Sequence, residues 1–359
     1  MINPKKILIM KFRNIGDVLL ITPLISNLKQ NFPNALIDVA LNKGTEEMIT
    51  LNSHINEVII YDREKIKSQK GFKRVWSEIK FGFDIRAKKY DLVINTTRGD
   101  RGNILALISG AKTTIGYKSK NLILQNIMTY NLPKFDFKHM IDVNLDTLRA
   151  LNLPIKDKKV KIFWDKKDEI KVDNFLTCKE FIHIHPVSRW LFKCIDDKTM
   201  AKIIDYCELE LKTKVVLTSA PIKKELDKIS SILNQTKSQP INLSGRLSLK
   251  ETTYLNSKAK FFIGVDTAIM HISAANNTPV LAFFGPSAVF HWGPWDNDLF
   301  ESSYIKEKGN QQMGKHFVHQ KDWDCVPCVK DGCNGSKVSD CLIQINLKNI
   351  KEKINEFSK

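Results

Sequence analysis

Apolar and polar positions along the chain follow two periods in turn. Short apolar runs at residues 7–12, 35–41, 58–61, 90–95 and 113–117 carry few charges and read as buried strands. Between them, residues 18–32 and 140–151 place apolar side chains three and four apart and read as helices, with a shorter helix at 45–51. In 18–32 the buried stripe is Leu20, Leu24 and Leu28, and Pro23 at the sixth position predicts a kink. Residues 65–85 are long, basic and amphipathic, with Phe72, Val75, Trp76, Ile79 and Phe83 on one side. Such a helix either packs on the sheet through that side or lies on the surface and dips into a membrane interface. The second half repeats the alternation, with strands at 181–186, 214–219, 261–263 and 280–284 and helices at 196–211, from 221 onward, at 249–257 and at 268–276. Between 154 and 175 the composition shifts to lysine and aspartate around one short strand, 160–164, which marks a domain boundary. Strand and helix in alternation predict an α/β fold, and 359 residues exceed what one core usually holds. The domains expected are 1–165 and 176–345, followed by an amphipathic helix over 346–359 with Leu347, Ile350, Ile354 and Phe357 on one face.

Chemistry gathers where strands end. The stretch 260–287, KFFIGVDTAIMHISAANNTPVLAFFGPS, is a strand-helix-strand unit with Asp266 and Thr267 at the helix start. Open α/β sheets place ligands at the carboxyl ends of their strands, and a helix start offers backbone N–H groups and partial positive charge to a phosphate. His271, four residues after Thr267, shares that face and could donate to the same anion; the other reading is an ordinary crossover with a capping aspartate. The turn after the first strand, Arg13-Asn14-Ile15-Gly16-Asp17, repeats the situation. There Asp17 is explicable as an N-cap, while Gly16 removes bulk where a ligand could approach and Arg13 supplies charge. Arg98 and Arg101 leave the strand at 90–95 and suit a carboxylate or phosphate, or else surface ion pairs.

A formal charge of +17 implies attraction to something anionic: nucleic acid, an acidic membrane face or a phosphorylated substrate. No apolar run approaches the ~18 residues of a membrane span, and no cleavage-type leader is evident, so a cytoplasmic location is expected. Cys178, Cys194 and Cys207 are scattered, whereas Cys325, Cys328, Cys333 and Cys341 cluster, as a structural zinc site or as partly buried free thiols.

The segment KILIMKFRNIGDVLLITPLISNLKQNFPNALIDVAL resembles the amino-terminal signature of the bacterial lipopolysaccharide core heptosyltransferases, glycosyltransferase family 9. In that signature a strand, an Arg-x-x-Gly-Asp turn and a proline-containing helix recur. GVDTAIMHISAANNTPVLAFFGPS resembles their second signature, with Ala268 where the family usually has glycine. A third element, His-Pro-Gly-Ser-x-x-x-x-x-Lys, is matched by Ser188, Arg189, Trp190 and Lys193 in register, with Val187 and Ile195 departing from it. The likeness runs over nearly the whole chain. It implies the glycosyltransferase-B architecture, two Rossmann-like domains facing across a cleft, with the terminal helix packing back on the first domain. It implies inverting transfer of heptose from ADP-heptose to a sugar hydroxyl of the inner core, with no cofactor required. Asp17 would be the general base and Lys193 would neutralise the leaving group. Ser188, Arg189, Glu225, Asp266, Thr267, Ala268 and His271 would bind the donor, with Glu225 at the ribose. Arg13, Gly16, Arg98 and Arg101 would bind the acceptor, a lipid A-linked core oligosaccharide at the cytoplasmic face of the inner membrane. The cysteine segment and the amino-terminal wording lean towards the third, side-branch heptosyltransferase, with the first and second as alternatives.

Two other classes fit less well. A zinc-containing nucleic-acid-binding protein would surround the cysteines with cations, yet residues 321–341 hold Lys321, Lys330 and Lys337 against Asp322, Asp324, Asp331 and Asp340. No nucleic-acid partner is therefore expected. A nicotinamide-dependent dehydrogenase would carry G-x-G-x-x-G after the first strand, which RNIGD does not supply.

Overall fold

The computed structural model describes residues 2–122, 124–134 and 137–359. The chain divides into two units, Met1–Lys161 and Ile162–Lys359. Among the described residues, the first unit holds a six-stranded sheet built from β1 (Lys6–Lys11), β2 (Leu36–Asn42), β3 (Glu57–Tyr61), β4 (Leu92–Asn95), β5 (Thr113–Tyr117) and β6 (Tyr130–Leu132). Their order is 3-2-1-4-5-6 and every pairing is parallel. Ile7, Leu8, Ile9 and Met10 of the central strand are completely buried, as helices on both faces of a parallel sheet require. The order reverses between β1 and β4, so the crevice at their carboxyl ends is the ligand position of such a sheet. Residues 12–17 and 96–99 lie there.

The second unit repeats the design with β7 (Phe181–His185), β8 (Lys214–Leu217), β9 (Ile241–Asn242), β10 (Phe261–Val265), β11 (Val280–Phe284), β12 (Gln311–Met313) and β13 (His316–Gln320). The order is 12-13-11-10-7-8-9, with β12 alone antiparallel to its neighbour. Here the reversal falls between β7 and β10, which puts Ser188 and Asp266 on adjacent strand exits.

Pro23 does not kink one long helix. The chain forms two, Ile15–Leu19 and Thr22–Asn31, and Pro23 sits in the first turn of the second, where its missing N–H would have had no helical partner. Residues 160–164 form no strand. Trp164 instead tilts against Tyr254 at 5.9 Å between ring centroids, and the helix Lys166–Asp173 packs on the helix Leu249–Lys258, so this linker belongs with the second unit.

Two helices overturn expectation. Residues 65–85 divide into Arg63–Ser68 and Gly71–Ala87, and the second packs on its sheet through Phe81, Gly82 and Ile85. A Cβ on Gly82 would lie 3.0 Å from the Ile108 side chain, so this is the face of close approach. Phe72, Val75, Trp76, Ile79 and Phe83 therefore point outward, opposite to the packed-on-the-sheet reading. The terminal helix Leu347–Ser358, expected on the first domain, packs into the core of the second unit. Ile350 and Ile354 join the second unit's core with Ile203, Ile204 and Phe261, Phe357 stacks on Phe261 at 5.6 Å, and Tyr206 donates to Asn355 at 2.6 Å. Its apolar face is used up there.

Candidate active site

On the second unit, Asp266 follows the last residue of β10, and its buried carboxylate meets the Lys193 ammonium at 2.5 Å. Lys193 closes a single 3-10 turn, Leu191–Lys193, so its position is set by the β7 loop rather than by a regular helix. Burial alone would raise the Asp266 pKa; the Lys193 charge and hydrogen bond, the Ser287 hydroxyl and the nearby His271 outweigh it and hold the carboxyl below its ordinary value. Sequence reading assigned Lys193 and Asp266 to separate tasks, and the fold makes them one ion pair.

The next residue, Thr267, stands at the N-cap of the helix Ala268–Ala275 with extended backbone (φ −144°, ψ 170°), yet its side chain makes no cap bond. Its Oγ1 is buried without a hydrogen-bond partner. Ala268 is half-buried at the first helical position, and His271 is buried one turn on. Helix start, unspent hydroxyl and ammonium converge as an anion seat requires.

Other expected donor residues hold their loops in shape. The Ser188 hydroxyl accepts the Trp190 N–H at 3.2 Å, and the exposed Arg189 lies 5.4 Å from the Trp190 ring. Glu225 is buried with its pKa raised by that burial, and it accepts the Ala220 N–H at 2.9 Å, closing the turn after β8.

Beneath the seat is a polar network that sequence reading missed. The Thr218 hydroxyl lies between His183 Nε2 at 2.7 Å and His185 Nδ1 at 2.9 Å. His183 Nδ1 meets the Asn256 amide at 3.0 Å, and Asn256 donates to Ser273, on the seat's own helix, at 2.7 Å. Burial keeps both imidazoles neutral, with His185 brought down to about 3 and His183 well below its ordinary value. Two histidines alternating within the apolar strand FIHIH were the available signal.

On the first unit, Asp17 is not an N-cap. Asn14 holds that position, and Asp17 is the third residue of the helix Ile15–Leu19, with Gly16 inside the same turn. Its Oδ1 lies 3.8 Å from the ammonium of Lys11, the buried last residue of β1. Lys11 also donates to Asn144 at 3.3 Å and to the Thr96 carbonyl at 3.4 Å. Burial lowers the Lys11 pKa, Asp17 raises it and Arg13 lowers it further. Lys11 is a further residue that sequence reading missed, because it closes an apolar strand.

Arg98 lies 5.7 Å from the Tyr117 ring, and burial, with Arg13 also acting downward, lowers its pKa. Arg13 is exposed, and its carbonyl accepts the Asn42 amide at 3.1 Å. Lys11 thus faces the Asp17 carboxylate while Arg13 acts on both Lys11 and Arg98, which gathers positive charge suited to an anionic ligand at the sheet's reversal point. Arg101 is not among them. Its guanidinium covers the Tyr61 ring at 3.6 Å and pairs with Glu78 at 3.1 Å, so it anchors the helix Gly71–Ala87 instead.

Residues 79–320 match the family described as glycosyltransferase family 9 (heptosyltransferase). The chain belongs to that family. Among its relatives, lipopolysaccharide heptosyltransferase 3 of Escherichia coli is 30% identical over 294 residues, spanning 80% of this chain and 85% of that protein. The lipopolysaccharide core heptosyltransferase OpsX of Haemophilus influenzae is 23% identical over 316 residues, 87% of this chain and 88% of its own. In fold, a family 9 glycosyltransferase of Veillonella parvula superposes with a TM-score of 0.81 at 19% identity, covering 100% of this chain and 98% of that one. The E. coli heptosyltransferase WaaC with ADP gives 0.71 at 14%, covering 98% and 99%. The architecture is accordingly the glycosyltransferase-B fold expected from the sequence.

In this family 9 enzyme the cysteine segment packs beside the second unit's strand exits, where the Ser339 hydroxyl donates to the Phe192 carbonyl at 2.6 Å and the Val329 N–H to the Pro286 carbonyl at 2.9 Å. Cys341 is buried, and burial first, then the neighbouring Cys333, Cys328 and Cys325, pushes its thiol up to about 11. Among the described residues, no group of three or more His, Cys, Asp or Glu side chains is arranged to hold a metal ion.

Proposed function

We propose that this enzyme transfers heptose from ADP-heptose to a sugar hydroxyl of the lipopolysaccharide inner core, with inversion, as a third heptosyltransferase. The observation carrying the donor half is the seat at Thr267, where helix N–H groups, a buried unspent hydroxyl and Lys193 meet. The diphosphate would lie against the helix start, and Asp266 would aim Lys193, whose ammonium has three donors and spends one on the pair. His271 would add a donor as ADP leaves. Asp17 would take the proton of the acceptor hydroxyl as it attacks the anomeric carbon. Arg13 and Arg98 would hold an anionic group of a lipid A-linked core acceptor at the cytoplasmic face of the inner membrane. Leaving-group charge is met by protein cations in this scheme, so no cofactor is assigned to the step.

Support for the side-branch reading comes from the E. coli heptosyltransferase 3 relatives, 30–31% identical over 80% of this chain, against 20–21% over comparable lengths for the E. coli heptosyltransferase 2 and the Pseudomonas aeruginosa heptosyltransferase 1. The test is transfer from ADP-heptose to purified core acceptors that carry none, one or two heptoses, followed by mass spectrometry. Turnover only on the two-heptose acceptor is expected. Turnover on the heptose-free or one-heptose core would move the enzyme to the first or second step, and ADP binding no tighter than UDP binding by calorimetry would remove the donor assignment.

A further inference from the structure

The transfer reaction uses no residue of the outward face of the helix Gly71–Ala87. That face carries Phe72, Val75, Trp76, Ile79 and Phe83, exposed by 79, 55, 56, 37 and 59%. Positions 72, 76, 79 and 83 recur at helical spacing, so the five form one continuous stripe. Single exposed apolar residues are ordinary on a protein surface, but a contiguous stripe with three aromatics marks an interaction site. Phe72 and Trp76 stack with ring centroids 6.3 Å apart and planes 15° from parallel, so the stripe begins as a preformed flat platform. The helix is held from behind, through Phe81, Gly82, Ile85 and the Tyr61–Glu78–Arg101 group, which leaves the stripe free of any packing role.

Charge decides what covers it. Residues 63–89 contain ten Lys or Arg against three acidic residues, and one of those three, Glu78, is already paired with Arg101. Lys65, Lys67, Lys70, Lys73, Arg74 and Lys80 are exposed along this helix and the one before it. A second copy seated here would bring two such cationic surfaces together, which like-charge repulsion opposes. An anionic bilayer satisfies both halves of the surface: aromatic side chains enter the headgroup boundary while lysines meet the phosphates. Among the described residues no helix is long and apolar enough to cross a membrane, so attachment through this face is peripheral.

We infer that the helix Gly71–Ala87 is an interfacial anchor that seats the first unit on a bilayer rich in anionic phospholipid. Tyr61, the last residue of β3, donates to Glu78 at 2.7 Å, which ties the first half of the helix to the carboxyl edge of the sheet. Phe72 and Trp76 therefore lie towards the edge that carries Asp17 and Arg98, so a lipid-linked acceptor would be met where its headgroup emerges. The anchoring itself does not depend on which acceptor the enzyme uses.

The test is flotation of the full chain with vesicles of phosphatidylcholine alone and of phosphatidylcholine mixed with phosphatidylglycerol. The protein is expected to float with the mixed vesicles only. Phe72→Ser/Trp76→Ser/Phe83→Ser should lose at least about tenfold in binding while keeping its melting temperature and its ADP affinity, since all three side chains are exposed. Quenching of tryptophan fluorescence by brominated lipid supplies a second reading that needs no polar substitution: Trp76→Phe should remove the quenched component. Failure of the wild type to bind mixed vesicles overturns the inference. So does undiminished binding by the triple variant, or quenching that survives Trp76→Phe. A wild-type dimer that the triple variant abolishes, without vesicle binding, would assign the stripe to self-association instead.

Discussion

Asp17 and Lys193 acquire their roles from neighbours that differ from those their sequence context suggests. Because Asn14 occupies the cap position, Asp17→Asn forfeits no cap bond, and what it removes is the carboxylate facing Lys11. General-base catalysis contributes about 10²–10⁴-fold, so this variant should lose at least about a hundredfold in heptose transfer while binding ADP normally. Normal turnover would dismiss Asp17 as the base. For Lys193 and Asp266 the expectation is non-additivity. Lys193→Ala and Asp266→Ala should each weaken ADP binding, and the double variant should be little worse than either, with a coupling of about 1 kcal/mol or more in a calorimetric double-mutant cycle. Additive losses would mean that Asp266 does not act through Lys193. His271→Ala should also weaken ADP binding without unfolding the chain, and unchanged affinity would take His271 out of the seat.

At the scale of the element, close approach decides what a helix tolerates. Gly102 is the third residue of the helix Asp100–Ile108, which follows the β4 exit, and a Cβ there would fall 2.4 Å from the Asn95 amide. Asn95 cannot yield cheaply, because it is buried and donates to Asn103 at 2.8 Å. Gly102→Ala should therefore destabilise the protein by about 1–3 kcal/mol in urea unfolding, the usual cost of overpacking a filled site. A neutral result would show that the Asn95–Asn103 pair is freer than its burial implies. Pro23, by contrast, looks like a helix breaker in the sequence and costs little in the structure, because Ile21 is the N-cap and the first-turn N–H groups have no helical acceptor.

Across the whole molecule, buried neutral histidines set the response to acid. Burial holds His185 at about 3 and His316 and His319 at about 4, against an ordinary value of 6.5. Between those values the unfolded chain binds protons that the folded chain refuses, so stability rises with pH across that window and is fully present above about 6.5. Glu225, whose pKa is raised, acts in the opposite direction over its own smaller shift. The melting temperature should fall as pH drops from neutrality towards 4, and His185→Gln should flatten that fall, as followed by calorimetry. An unchanged slope in the variant would mean that His185 does not contribute to it.

The sequence by itself determined what depends on local chemistry and on period. Apolar runs of strand length, helical spacing and the two signature turns were sufficient for the α/β class, the alternating order of elements and the strand exits where Asp17, Asp266, Thr267 and His271 lie. Those features are set by backbone preference and by which residues share a face, and both act over a few residues. Only the tertiary structure decided the rest. The Lys193–Asp266 pair joins residues 73 apart, Lys11 is hidden in an apolar strand until Asn144 and Thr96 close over it, and Arg101 has Tyr61 and Glu78 as partners instead of a ligand. Periodicity placed Phe72, Trp76 and Phe83 together without saying whether that face or its opposite would be buried. The choice fell to Gly82, Phe81 and Ile85, because a helix packs through the face that lets the backbones approach closely, and that depends on the surface that the distant helix at Ile108 presents.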